Sequence, residues 1–161
     1  MKLALPTSEG SELVSDANVL VRVVAPGEYR AQARALWQRL VDGDAPCVVP
    51  VFCPTEVISS LRQMGRGSLL TPDEEAEAFE EFATIIRPVL VTIDTPPLMR
   101  AAWRIARELD ERHTYDSVYL AIAQAFGMEF WTADQQLLRR LAGRFPLARF
   151  LGDFPLPPTT D

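Results

Sequence analysis

Short runs rich in β-branched residues alternate with longer helical patterns along the whole chain, and this alternation limits its fold more than any other feature. The pattern predicts strands at residues 13–16, 47–50, 89–93, 129–132 and 148–151. Most of these runs are apolar throughout, as expected for a parallel sheet covered by helices on both faces. Parallel neighbours need long crossover connections, and the helical patterns supply them. The sequence therefore predicts an α/β fold.

Four of the predicted helices have recognisable ends. Residues 29–41 carry one apolar face before an Asp-Gly stop, and a capping box of Thr71 with Glu74 begins the next helix. A further helix is predicted from Thr95 to about residue 111. Thr114 is predicted to cap the last of the four, which ends at Gly127. Because this helix has little polar surface, it is predicted to lie against the sheet.

The chain of 161 residues shows no internal repeat and no linker, which favours a single domain with its core at about 13–151. About a dozen residues precede the first strand, and a Pro-rich tail, 154–161, follows the last. Both ends are expected to be poorly ordered or docked on the surface. No apolar stretch reaches the roughly 20 residues of a membrane span, and the two cysteines form no disulfide framework, so a cytoplasmic location is predicted.

Reactive side chains other than carboxylates are scarce. The chain has one lysine, Lys2, one histidine, His113, and two cysteines, Cys47 and Cys53. A P-loop and a Schiff-base enzyme each need a well-placed lysine, and zinc sites need several His or Cys ligands at short spacing. No Gly-x-Ser-x-Gly elbow accompanies His113. These classes are therefore excluded, and carboxylates remain.

The net charge of −6 is local and does not argue against a nucleic-acid partner. Six acids crowd one predicted helix, and the remaining acids equal the basic residues in number. All but one of those bases are arginines, which bind phosphate well. The acidic helix residues are Asp73, Glu74, Glu75, Glu77, Glu80 and Glu81. This run is interpreted as a solvated helix face.

Four other acids occupy equivalent places at the carboxyl ends of strands or in the first turns that follow, namely Asp16, Glu56, Asp116 and Asp134. Taken singly, each could be a helix cap or a first-turn acid that gains from the helix dipole. In a parallel sheet, however, all four positions lie on one rim. Two carboxylates about 6 Å apart repel by about 3 kcal/mol at an effective dielectric of 20, so four together call for a divalent cation. Ligands that are all oxygen favour Mg²⁺ or Mn²⁺, which suits phosphodiester hydrolysis.

The motifs around these acids resemble those of the PIN-domain ribonucleases, and in particular the VapC toxins of bacterial toxin-antitoxin pairs. The matching segments, in chain order, are Asp16 to Leu20, Glu56-Val57, Tyr115 to Ala123 and Thr132 to Leu137. Each motif alone is weak, whereas the four in order are fairly specific. The resemblance spans about residues 13–151.

The resemblance implies an α/β/α sandwich around a five-stranded parallel sheet, and Mg²⁺- or Mn²⁺-dependent endonuclease cleavage of RNA. It implies that Asp16, Asp116 and Asp134 hold the metal. Glu56 would complete the acidic pocket and help to orient the attacking water. Asn18 and Thr132 match polar positions that support the first and last acids by hydrogen bonding.

The resemblance also implies a homodimer that a cognate antitoxin blocks. Arg22, Arg62 and Arg66 lie near the segments of Asp16 and Glu56 and are candidates for binding the RNA backbone. Two other readings stay open within the family: a housekeeping nuclease without an antitoxin, and a catalytically degenerate module that binds RNA or protein. An aspartate-based phosphatase fits less well, because it needs a second Asp where Asn18 stands, and a downstream lysine.

Overall fold

The computed structural model describes residues 12–158 and contains one five-stranded sheet in the order β3-β2-β1-β4-β5 with every neighbouring pair parallel. The strands are β1 (Leu13–Ser15), β2 (Cys47–Pro50), β3 (Leu90–Ile93), β4 (Glu129–Thr132) and β5 (Ala148–Phe150). The helices are α1 (Ala17–Val24), α2 (Arg30–Asp42), α3 (Cys53–Arg66), α4 (Pro72–Glu81), α5 (Met99–Glu108), α6 (Tyr115–Phe126) and α7 (Gln135–Leu141). The predicted α/β fold is confirmed.

The strand order places the helices in two layers. The chain moves from β1 through β2 to β3 in one direction and then returns to β4 and β5 on the other side of β1. Right-handed crossovers therefore put α1 to α4 on one face and α5 to α7 on the other. The packing of α1 against α2 and α3, and of α5 against α6, agrees with this arrangement.

Helix α6 is the predicted apolar helix, and it covers the centre of the sheet. Every residue from Ser117 to Ala123 is buried, and the helix contacts β1, β2 and β4. Gly127 ends it in the left-handed conformation, with φ of 67°, as the sequence predicts. The helix begins at Tyr115 with Thr114 at the N-cap position, as predicted, but the side chain of Thr114 accepts no bond from the first turn.

The helix predicted from Thr95 differs at both ends. A 3₁₀ turn, Pro96–Leu98, precedes α5. The helix stops at Glu108, where Asp110 takes φ of 53° and the N–H of Glu111 donates to the Ala106 carbonyl. This left-handed ending turns Glu111 out of the helix and towards α6. The capping box of Thr71 and Glu74 is present as predicted.

Strand ends depart from prediction by a residue at each of three places. Strand β1 ends at Ser15 because Asp16 is the N-cap of α1, and β3 begins at Leu90 because a 3₁₀ turn, Arg87–Val89, precedes it. Strand β5 ends at Phe150 because a 3₁₀ turn, Leu151–Asp153, follows it. Of the tail, Phe154 is buried against Trp131 with ring centroids 5.3 Å apart. The prediction for the N-terminal extension lies outside the described residues.

Across residues 12–158, no helix combines the length and the apolar character that a membrane span requires.

Candidate active site

The edge of the sheet where the strand order reverses carries the first and last of the predicted acids. Strand β1 lies between β2 and β4, so the connections that leave β1 and β4 diverge to opposite faces and open a crevice. The register pairs Ser15 with Trp131, so Asp16 and Thr132 follow side by side. The sequence pattern alone could place these residues on one rim, and the register makes them neighbours.

Asp16 is held by a network of hydrogen bonds from both strands. Its Oδ2 accepts bonds of 2.7 Å from Asn18 Nδ2 and 2.7 Å from Thr132 Oγ1. Asn18 Nδ2 also donates to Thr132 Oγ1, and Asn18 Oδ1 accepts from the Ala133 N–H. Thr132 Oγ1 in turn accepts from the Asp134 N–H. Every donor and acceptor of the Asn18 amide is therefore used, which fixes the Asp16 carboxylate in one orientation.

Asp134 is the N-cap of α7, which is the ordinary structural role expected of an acid directly before a helix. Its Oδ1 accepts from the N–H groups of Gln136 at 2.8 Å and Leu137 at 2.9 Å. Its Oδ2 has no hydrogen-bond partner among residues 12–158. Capping and a ligand role are compatible, because the cap uses one oxygen and leaves the other for a cation.

Glu56 and Asp116 lie in the first turns of α3 and α6. Glu56 is half-buried, and its Oε2 accepts a bond of 2.6 Å from the hydroxyl of Tyr119. Asp116 lies 3.7 Å from Arg140, measured from Oδ2 to Nη2, and its side chain is 38% exposed. This contact is therefore a solvated ion pair and not a buried one.

The four acids are electrostatically coupled. The pKa of Asp16 is raised to about 6, chiefly by burial and also by the charges of Glu56 and Asp134, while hydrogen bonds from Thr132 and Asn18 act to lower it. Burial also raises the pKa of Asp116 to about 6, with contributions from Asp16, Glu111 and Asp134. Burial and the charge of Asp116 raise the pKa of Glu56. The structure thus brings the four predicted acids together.

The donors present suit a hard cation that keeps part of its water shell. Within the described part of the chain, no three His, Cys, Asp or Glu side chains stand close enough together to hold a metal ion by themselves. Each of the four acids instead bonds to the protein mainly through one oxygen, and the second carries at most the weak 3.3 Å bond from Asn18 N to Asp16 Oδ1. Mg²⁺ typically uses one or two carboxylates plus several waters, so the residues fit such an ion.

Three residues that sequence analysis did not select also belong to the site: Tyr119, Glu111 and Arg140. The sequence could have indicated Tyr119, because it lies three residues after Asp116 and so shares its helix face. A buried tyrosine hydroxyl also needs a hydrogen-bond partner. Nothing in the sequence indicated Glu111 and Arg140, because 29 residues separate them. Only the tertiary fold brings Arg140 Nη2 to within 3.3 Å of Glu111 Oε1.

For the RNA cleavage that the resemblance implies, Tyr119→Phe is expected to lower kcat about tenfold, with little change in KM. Burial keeps the Tyr119 hydroxyl protonated by raising its pKa, so it donates to Glu56 and fixes that carboxylate. The substitution removes the donor and leaves Glu56 free to rotate. Tyr29→Phe is the control, because Tyr29 precedes α2 and packs its ring against Phe150 of the edge strand β5. A wild-type kcat in Tyr119→Phe would show that the bond does not matter.

Within residues 12–158, the predicted RNA-binding arginines form no ion pair with the four acids. Arg22 donates to the Asn18 carbonyl, and Arg62 is paired with Glu75 at 3.0 Å. Arg62 and Arg66 line a groove between α3 and α4. Their role in RNA binding stays a prediction.

Comparison with known proteins gives one family and a fold. The family model described as PIN domain matches residues 13–144. The crystal structure of FitAcB from Neisseria gonorrhoeae superimposes with a TM-score of 0.59 at 15% identity, covering 81% of this chain and 93% of that one. The structure of FitAB bound to the IR36 DNA fragment gives a TM-score of 0.61 at 16% identity, covering 92% and 99%. At these identities the likeness shows the shared fold. No functionally curated protein matches the chain significantly.

Proposed function

Because this chain belongs to the PIN-domain family, we propose that it is a Mg²⁺- or Mn²⁺-dependent endoribonuclease and the toxin of a toxin-antitoxin pair. The observation that carries the enzymatic part is the coupling of four carboxylates at the switch point of the sheet, two of them with pKa values raised to about 6. Such a cluster is costly without a cation and suited to binding one.

The mechanism assigns a separate task to each acid. Asp16, Asp116 and Asp134 would hold the ion, directly or through water, with the oxygens that are free of strong protein bonds. When bound, Mg²⁺ or Mn²⁺ lowers the pKa of a water and stabilises the charge on the leaving oxygen. Glu56, with Oε2 fixed by Tyr119, uses Oε1 to orient the attacking water for in-line displacement. Asn18 and Thr132 keep Asp16 in its ligand orientation.

The toxin assignment is supported by the resemblance of the four motifs to VapC proteins. A toxin of this kind would act on RNA in the cytoplasm as a homodimer and be blocked by an antitoxin. The structural neighbours FitAcB and FitAB share the fold.

The experiment that tests the enzymatic proposal is cleavage of a labelled single-stranded RNA by the purified full chain. We expect cleavage with Mg²⁺ or Mn²⁺, complete loss in excess EDTA, and recovery when the ion is restored. A cleavage rate that EDTA does not change would contradict the metal dependence. Failure to cut any RNA in a set of varied sequence and structure would contradict the nuclease activity.

The toxin part needs its own test, in living bacteria. Induced expression of the wild-type chain is expected to arrest growth. Asp16→Asn, expressed to the same level, is expected to leave growth unchanged. Normal growth with an active nuclease present would favour the housekeeping reading.

A further inference from the structure

A cleft of about 510 Å³ lies beside the acids and combines both signs of charge. Glu56 and Asp116 line it from the helices that carry them. Its other charged lining residues are Asp110, Glu111, Arg112 and Arg140, and His113 and Tyr115 complete the lining. A strand of RNA that placed a phosphodiester at the acids would therefore run past these basic side chains.

The side chain of Arg140 is positioned in this cleft by Glu111, which is itself held by a hydrogen bond. Its Nη2 lies 3.3 Å from Oε1 of Glu111, whose side chain is only 7% exposed. The other carboxylate oxygen of Glu111 accepts a bond of 3.0 Å from Ser117 Oγ, and Ser117 is fully buried on α6. One edge of the guanidinium is thus held by a carboxylate that is itself bonded to α6. This restraint reduces the entropy that the side chain loses when it binds a ligand.

The rest of the guanidinium is available. Among residues 12–158, neither Nε nor Nη1 of Arg140 has a hydrogen-bond partner, and the side chain is 42% exposed. Arginine presents its donors as a planar fork that matches phosphate oxygens. By contrast, Arg139 on the same helix turns its Nε back to the Gln135 carbonyl at 3.2 Å.

We propose that Arg140, positioned by Glu111, binds a backbone phosphate of the RNA strand next to the scissile bond. This inference rests on the proposed ribonuclease function, whose site it extends. Arg140 is then a substrate-binding residue, and Glu111 is a positioning residue that acts through it.

A simpler role for Arg140 is that of a counter-ion to Glu111 and Asp116, and the two roles predict different changes. If Arg140 binds phosphate, Arg140→Gln raises the KM for RNA and reduces the salt dependence of binding. Removing a positive charge beside Asp116 also makes the site more negative, so the affinity for Mn²⁺ stays the same or increases. A purely structural role would weaken the binding of both RNA and Mn²⁺.

The test compares Arg140→Gln, Arg140→Lys and the control Arg139→Gln in the full chain. For Arg140→Gln we expect a KM about tenfold higher for a labelled single-stranded RNA, an unchanged kcat, and a slope of log KM against log salt that is lower by about 0.7. Arg140→Lys keeps the charge, so it should keep the salt slope with a smaller rise in KM. Mn²⁺ binding, measured by calorimetry without RNA, should not weaken.

Two results would overturn the inference while leaving the proposed function intact. One is a wild-type KM and salt slope in Arg140→Gln when the wild-type protein cleaves RNA. The other is an equal loss of RNA and Mn²⁺ binding. If the wild-type chain cleaves no RNA with any divalent ion, the proposed function fails and this inference fails with it.

Discussion

Asp16→Asn is expected to reduce RNA cleavage by at least about 1000-fold and yet to leave the protein folded. Asp16 is 7% exposed and lies at the centre of the β1–β4 hydrogen-bond network, so its carboxylate has one orientation. An asparagine can keep its oxygen on the Asn18 and Thr132 donors and turn its NH₂ group to the position of Oδ1. That position then offers a donor where the cation needs an acceptor.

The same substitution is expected to stabilise the protein when no divalent ion is present. At pH 7 the Asp16 carboxylate is charged although its pKa is raised to about 6 from an ordinary value of 3.8, which corresponds to a cost of about 3 kcal/mol. The neutral amide avoids that cost but loses the weak bond from the Asn18 N–H. A net gain on the order of 1 to 2 kcal/mol in the free energy of unfolding is expected from denaturation in EDTA.

Asp42→Asn is the control for both measurements, because Asp42 is an exposed acid at the end of α2 whose side chain, among residues 12–158, is bonded only to Gln38. It should leave cleavage and stability within error of wild type. Cleavage above about one tenth of the wild-type rate in Asp16→Asn would contradict the role of Asp16.

Acidification is expected to stop cleavage as the pH falls through about 6. Asp16 and Asp116 both have a pKa of about 6 in the folded protein, and both must be ionised to hold the cation. Two protons then compete with one ion, so the rate should fall by up to about 100-fold per pH unit below the midpoint. Higher Mn²⁺ concentrations should move the midpoint to lower pH. A rate that is constant from pH 7 to pH 5 would contradict this account.

Stability in EDTA should change in the opposite direction. The folded protein binds more protons than the unfolded chain between about pH 4 and pH 6, because folding raises the pKa of both acids. Their contribution is therefore present below pH 4 and is lost as the pH rises through 6. Denaturation of wild type and Asp16→Asn at pH 4.5 and pH 7 isolates the Asp16 part. The variant should show the smaller pH dependence.

The sequence contained enough information for the sheet and for the four acids. Short apolar runs between helical patterns identified all five strands, and the runs of β1 and β2 are buried throughout, as strands covered on both faces are. The acids followed from position, since carboxyl ends of parallel strands share one edge. The capping box at Thr71 and the left-handed Gly127 were predictable because each is a local property of a few residues.

What sequence analysis missed depends on tertiary contacts. The left-handed Asp110 ends α5 and turns Glu111 towards Ser117, and no local pattern shows that Arg140 from α7 will meet it. The arginines chosen by proximity in sequence, Arg22 and Arg62, bond elsewhere. Distance along the chain is a weak guide to charge pairing in a fold whose neighbouring strands are joined by long crossovers.

The most direct test of the central claim is calorimetric titration of Mn²⁺ into the metal-free full chain and three variants. The account predicts saturable binding by wild type that is lost in Asp16→Asn and in Asp116→Asn. It also predicts that Glu80→Gln, which removes an exposed acid from the acidic helix α4, binds as wild type does. Equal binding by wild type, Asp16→Asn and Asp116→Asn would show that the ion does not bind at these acids and would contradict the account.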